Sequence, residues 1–187
     1  TASCTVRVQD AGASETLALP FDYLAIKAGA TLKLNKLTGF AGSWTTADPS
    51  VATVGKKGVL TGVSAGDTTL TFTLGKAMPE NVLFMGKSLL AGESVDIKLF
   101  VVEKGLAVNK VKIEGKTTVA TGETTLLTAK LTPATAQYTD VFWRTNNPSV
   151  AVVDKNGEVK GIAPGKAKIT AIATSGVTKT ITVKVKK

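Results

Sequence analysis

Histidine is absent from this 187-residue chain, and cysteine occurs once, at Cys4. The lack of histidine removes the commonest general base and the commonest metal ligand. A single cysteine excludes an internal disulfide and a cysteine-rich zinc cluster. Aromatic residues make up only 5% of the chain, and no run of about 18 apolar residues is present, so no transmembrane helix is predicted. We therefore predict no catalytic residue, no metal ligand and no cofactor.

What the chain does contain is one segment present twice, with a spacing of 99 residues. The matching pairs are Trp44 and Trp143, Pro49 and Pro148, Gly58 and Gly157, Gly62 and Gly161, and Gly66 and Gly165. Self-similarity at a fixed period indicates a repeated structural unit. Two units of about 90 residues each fit a chain of this length as two domains.

The second copy has the pattern of short β-strands separated by turns. Ile181, Val183 and Val185 alternate with polar residues in Thr178–Lys186, and Lys166–Ala173 alternates in the same way. This period of two is typical of half-buried strands. The stretch from Asp154 to Gly157 predicts a hairpin turn, because Asn and Gly tolerate positive φ. Such spacing of strands and turns favours a β-sandwich or barrel.

Both copies also share a motif. It is Trp-x-Thr-x-(Asn/Asp)-Pro-Ser-Val-Ala-x-Val, followed by Gly-x-(Val/Leu)-x-Gly-(Val/Ile)-x-x-Gly and alternating Thr and Ile. This motif resembles the bacterial Ig-like domain, group 2, most fully in residues 142–174. The resemblance implies an immunoglobulin-like β-sandwich of the kind repeated in surface proteins, adhesins and some phage tail proteins. Fold alone does not establish function, so this role is an expectation.

The predicted fold class is all-β, with two tandem immunoglobulin-like β-sandwich domains. Domain 1 is predicted over residues 11–104 and domain 2 over residues 105–187, with a short linker at Glu103–Gly105 that leaves the domains limited freedom. Residues 1–10 form an orphan N-terminal strand. This strand is predicted to be the end of a preceding repeat or a donor strand that adds to the sheet of another subunit.

Domain 1 departs from the motif of domain 2 in two places. Strands are expected over Tyr23–Ile26 and Thr31–Leu37, with a shorter connection to Trp44 than domain 2 has to Trp143. An apolar insertion occupies residues 76–92. Exposed apolar insertions need cover, so this one is expected either to fold over its own sandwich or to meet a partner. Together with the orphan strand it supplies the predicted assembly contacts, which are Cys4, Val6, Val8, Met78, Leu83, Phe84, Met85 and Leu89.

The net charge of +9 is concentrated in one half of the chain. Residues 11–104 carry nine Lys against eight acidic residues, whereas residues 105–187 carry twelve Lys and Arg144 against five. Such asymmetry fits an anionic partner, or lysines that keep strand edges soluble; the second interpretation is favoured. The predicted anion contacts are Lys155, Lys160, Lys166 and Lys168.

These features favour a non-catalytic structural or adhesion module of a bacterial surface protein, acting extracellularly as a spacer or building block. One alternative is a subunit of a self-assembling extracellular filament or phage virion joined by strand addition. Another is a cell-wall or carbohydrate-binding module that uses the basic domain 2. The expected partners are neighbouring repeats or subunits, including a homo-oligomer, or a cell-surface polymer, and no specific nucleic acid.

Overall fold

The computed structural model describes residues 16–17, 22–76, 82–84 and 87–187. The predicted orphan strand 1–10 lies outside the described residues. The described part consists mainly of β-strands and contains one helix of five residues, α1 (Leu34–Thr38). The strands of domain 1 are β1 (Thr16–Leu17), β2 (Tyr23–Lys27), β3 (Thr31–Lys33), β4 (Gly42–Thr46), β5 (Ala52–Gly55), β6 (Val59–Gly62), β7 (Gly66–Leu74), β8 (Val82–Leu83) and β9 (Ser94–Val102).

Domain 1 is a sandwich of two sheets. Its larger sheet has the strand order β2-β9-β7-β4, in which β2 runs parallel to β9 and the other pairs are antiparallel. The facing sheet has the order β3-β6-β5. Side chains that alternate inward from the two sheets form one hydrophobic core. The short strands β1 and β8 pair separately in parallel.

Domain 2 repeats this sandwich, with four strands instead of three in its second sheet. Its strands are β10 (Lys110–Gly115), β11 (Thr118–Ala120), β12 (Thr124–Thr132), β13 (Val141–Thr145), β14 (Ala151–Val153), β15 (Glu158–Gly161), β16 (Gly165–Ala173) and β17 (Thr178–Lys186). The sheet β11-β17-β16-β13 faces the sheet β10-β12-β15-β14 around a second core. The predicted all-β fold with two sandwiches is therefore confirmed.

The shared motif supplies turns and core in both domains. Trp44 and Trp143 are buried, each in the core of its own sandwich. The hairpin turn predicted at residues 154–157 joins β14 to β15, and the Asp154 carboxylate accepts hydrogen bonds from the backbone N–H groups of Asn156 and Glu158 at 2.9 and 2.8 Å. Gly157 in this turn has φ of 86°, which only glycine adopts without strain.

The strand expected over Thr31–Leu37 is wrong in its second half. Only Thr31–Lys33 is a strand, and α1 follows it directly. The reason is the short connection, because the chain must turn back within a few residues to reach Trp44. The helix ends at Gly39 in the left-handed conformation. It also places Asn35 where its Oδ1 accepts a hydrogen bond from the indole nitrogen of Trp44 at 2.8 Å.

Candidate functional site: the junction between the two sandwiches

The apolar residues predicted as assembly contacts do not form an exposed surface where they are described. Phe84 is completely buried and Leu89 is 5% exposed, and both belong to the core of domain 1. The Phe84 ring stacks on Phe72, with ring centroids 4.8 Å apart. These two predictions are therefore corrected: Phe84 and Leu89 are covered because they pack into their own sandwich. The side chain of Leu83 lies outside the description, as do Cys4, Val6, Val8, Met78 and Met85.

The four predicted anion contacts are not brought together. Lys160 lies on β15, and Lys155 lies in the turn that precedes β15. Lys166 and Lys168 lie on β16, which belongs to the opposite sheet. The four lysines therefore do not form one cluster.

The two sandwiches share a third buried cluster that belongs to neither core. Ala25 and Ile172 are only 2% and 4% exposed, yet neither belongs to either hydrophobic core. Each alternates with inward-facing neighbours on its strand, so its side chain points out of its own sandwich. The hydroxyl-bearing Thr174 is completely buried next to them. An outward side chain in an isolated sandwich would face water, so these residues are buried because the domains pack on each other.

Three aromatic rings extend this contact. Tyr23 and Phe100 lie on the neighbouring strands β2 and β9, and Tyr138 reaches them from domain 2. The rings of Phe100 and Tyr138 stack with centroids 4.5 Å apart, and Tyr23 meets both edge-on at 5.8 and 5.6 Å. Offset and edge-to-face pairs of this kind are each worth about 0.5–1.5 kcal/mol beyond burial.

The Tyr23 hydroxyl donates a hydrogen bond to the carboxylate of Asp140 across the junction. Burial raises the pKa of Tyr23 above its usual value, and the hydrogen bond and negative charge of Asp140 raise this pKa further. All three effects favour the neutral phenol, which is the form that can donate. The hydrogen bond therefore persists at neutral pH.

Backbone groups also join the domains. The amide of Ala25 donates to the carbonyl of Thr174 at 3.1 Å. Because β2 is the edge strand of its sheet, this bond satisfies a donor that the sheet leaves free. The Thr174 hydroxyl in turn donates to the carbonyl of Tyr138 at 2.6 Å. Tyr138 has φ of 57°, an uncommon conformation for a non-glycine residue, which is maintained by the contacts of its loop.

The linker is attached to the same loop of domain 2. The amide of Gln137 donates to the carbonyl of Leu106 at 2.8 Å, and the Thr135 hydroxyl donates to the carbonyl of Gly105 at 2.9 Å. The turn between β16 and β17 also approaches domain 1 closely: Gly176 has φ of 77°, and a Cβ added there would lie 2.4 Å from a δ-carbon of Leu32, so that this side chain would have to move. The junction thus combines packing, hydrogen bonds and a tethered linker.

Sequence reasoning missed this junction. The apolar members that are buried outside both cores are one alanine and one isoleucine, in strands whose patterns already account for a core. The signal that could have found them is Ile172, an apolar side chain in the outward register of Lys166–Ala173. The loop around Tyr138, which domain 1 lacks, was the other sequence feature that could have indicated the junction.

The residues that the structure describes contain neither a candidate metal site nor a candidate membrane-spanning helix. Across residues 16–17, 22–76, 82–84 and 87–187, no group of three or more Cys, Asp or Glu side chains is placed to hold a metal ion. No helix of this described portion is long and apolar enough to cross a membrane. The two ion pairs found among the described residues both involve Glu114, whose pKa is lowered to about 2 chiefly by its hydrogen bonds to Lys112 and Lys130.

The fold and the junction define a tandem of immunoglobulin-like sandwiches. The family model of the bacterial Ig-like domain (group 2) matches residues 22–82 and 107–185, one match in each sandwich. The chain therefore belongs to the bacterial Ig-like domain (group 2) family. A comparison with curated proteins finds no match.

Several solved structures share partial similarity with the chain. An intimin mutant of EHEC O157:H7 is 20% identical, with 41% of this chain and 46% of that chain covered and a TM-score of 0.35. The S-layer protein rSbsC(31-844) is 17% identical, with 78% and 20% covered and a TM-score of 0.36. Domains 4 and 5 of the S-layer protein SbsC are 18% identical, with 78% and 70% covered and a TM-score of 0.36. The chain thus spans less than half of the length of each of the first two structures.

Proposed function

We propose that this chain is a non-catalytic structural module of a bacterial surface protein, in which two sandwiches form a stiff extracellular spacer or building block. The observation that supports this most directly is the junction, where Ala25, Ile172 and Thr174 are buried outside both cores. A spacer needs a defined angle between its domains, and a buried contact supplies one that a flexible linker does not. Membership of the group 2 bacterial Ig-like family supports the surface location.

Protein partners on this view are neighbouring domains of a longer surface protein. The filament or virion subunit joined by strand addition remains an alternative proposal, because its donor strand lies outside the described residues. The wall-binding alternative also remains a proposal, although Lys155 and Lys160 do not adjoin Lys166 and Lys168. No catalytic residue is proposed.

The stiffness of the junction is tested by replacing Ile172 with Asp. A charged side chain is not accommodated in the buried contact, and Ile172 lies outside the core of domain 2, so the domains should separate while each stays folded. Single-molecule energy transfer between one dye in each domain should change from a narrow to a broad distribution. Thr182→Asp, an exposed position on the same sheet, is the matched control and should keep the narrow distribution.

A broad distribution in the unsubstituted protein would overturn the proposal of a stiff spacer. The surface location is tested separately, with an antibody against domain 2 applied to intact cells that produce the full-length protein. Labelling of intact cells is expected. Labelling only after the cells are lysed would contradict the extracellular role.

A further inference from the structure

A groove runs from domain 1 onto the outer face of the sheet β11-β17-β16-β13. One hollow of about 360 Å³ lies between the start of α1 in domain 1 and the strands β13, β16 and β17 in domain 2. A second hollow of about 680 Å³ continues along the same sheet. The two share Arg144, Thr170 and Thr180 as walls. These three residues are paired side by side across three strands, so the two hollows form one continuous groove.

The charge lining this groove is entirely positive. Lys33 and Lys36 contribute from domain 1, and Arg144 and Lys168 contribute from domain 2, with no acidic residue in the lining of either hollow. All four side chains are exposed. None of them makes an ion pair within the described part of the chain. Arg144 and Lys168 occupy diagonal positions on adjacent strands, about 7–8 Å apart, where like charges repel unless an anion lies near them.

The remaining walls indicate which kind of anion fits. Thr178, Thr180 and Thr182 present a row of hydroxyl groups along the groove, and the Thr170 and Thr180 hydroxyls hydrogen-bond to each other at 2.8 Å. Leu32, Leu37 and Ile172 provide a small apolar surface at one end. Hydroxyl groups and short apolar patches suit the hydroxyls and C–H groups of sugar rings. No aromatic side chain lines the described groove, so the stacking that single-stranded nucleic acids require is missing.

We propose that this groove binds a linear acidic polysaccharide, whose carboxylate or phosphate groups pair with Lys33, Lys36, Arg144 and Lys168. The polymer would contact both domains at once, because two of the cations come from each. This site goes beyond the spacer role, and it differs from a generic basic surface because it excludes Lys155 and Lys160 on the opposite sheet.

The test uses the whole chain and three probes of defined length at physiological salt. These are a fluorescent oligogalacturonate, a phosphodiester-linked hexose polymer and neutral dextran, with binding followed by anisotropy. The double variant Lys33→Ala with Arg144→Ala removes one groove cation from each domain. The matched control, Lys155→Ala with Lys160→Ala, removes the same charge from the opposite sheet. Since all four positions are exposed, both variants should unfold at the temperature of the unsubstituted protein.

We expect at least one of the two acidic polymers to bind and dextran not to bind. The identity of the acidic polymer that binds shows whether the groove recognises carboxylate or phosphate groups. The groove variant should bind about tenfold more weakly, and the control less than about twofold more weakly. Equal losses in the two variants would show attraction by net charge alone and overturn the site. The site would also be overturned if neither acidic polymer bound. It would be overturned as well if dextran, or a single-stranded DNA of matched length, bound as tightly as the acidic polymers.

Discussion

At the scale of single residues, Tyr23 gives the junction a dependence on pH. Its pKa is raised by burial and by Asp140, so the folded protein keeps the phenol protonated where the unfolded chain would not. The stabilisation from this hydrogen bond is fully present below the unfolded pKa near 10, and it is lost as the pH rises further. Replacing Tyr23 with Phe retains the ring and removes the donor.

We expect Tyr23→Phe to lower the free energy of unfolding by about 1 kcal/mol at neutral pH. The difference from the unsubstituted protein should stay constant from neutral pH to about pH 9 and shrink above about pH 10, since the unsubstituted protein must then lose the phenol proton. Urea titrations across this range measure it, and the lysines that titrate there are common to both proteins. Tyr138→Phe is the control, because no hydrogen bond of its hydroxyl is found among the described residues. A difference that grows with pH would contradict the assignment.

At the scale of elements, the described part of the insertion contributes Phe84 and Leu89 to the core of domain 1. Phe84 is completely buried, whereas Leu90 is 64% exposed. Phe84→Ala should therefore lower the stability of domain 1 by about 3–5 kcal/mol, through lost transfer energy and a cavity beside Phe72. Leu90→Ala should change stability by no more than about 0.5 kcal/mol.

Native-state hydrogen exchange, read separately for amides of the two sandwiches, measures both effects. Protection should fall in β7 and β9 of the Phe84→Ala protein and stay unchanged in β16 and β17. Similar effects of the two substitutions would mean that the insertion does not complete the core.

The elements could be predicted where sequence pattern and local geometry agree. Thr178–Lys186 is a strand over its full predicted length, and the turn at residues 154–157 forms where Asn and Gly predicted it. The helix α1 could not be predicted, because Leu32 and Leu34 have the spacing of a strand, Leu34 and Leu37 have the spacing of a helix, and so few residues do not decide between the two periods. The shorter connection to Trp44 decided between them, and its effect depends on distances in the folded domain.

At the scale of the whole molecule, the repeat predicts both domains but not their contact. The register of the sheets places Thr118 and Lys184 of domain 2 where domain 1 has Ala25 and Phe100. The junction surface is therefore not repeated, and a comparison of the two copies for shared residues does not reveal it. Contact between domains depends on outward residues that differ between copies, for which a single sequence offers no periodic signal.

The contact between Gly176 and Leu32 allows the junction to be tested by a substitution at a position that belongs to neither core. Gly176 and Gly122 both have positive φ, 77° and 85°, but a Cβ at Gly176 would lie 2.4 Å from Leu32, whereas one at Gly122 would meet nothing within 4 Å. Alanine at either position costs about 1–2 kcal/mol of backbone strain. Only Gly176→Ala also forces the Leu32 side chain to move, and because this side chain lies at the junction, the contact between the domains should loosen.

Small-angle scattering and energy transfer between dyes on the two domains should therefore show a larger and broader interdomain distance for Gly176→Ala than for Gly122→Ala. The two variants should lose similar stability within domain 2, because the strain is the same in both. Unchanged distances in Gly176→Ala would mean that the turn between β16 and β17 accommodates the added Cβ and that the junction stays intact. The angle between the domains would then depend on Tyr23, Ala25 and Ile172 alone.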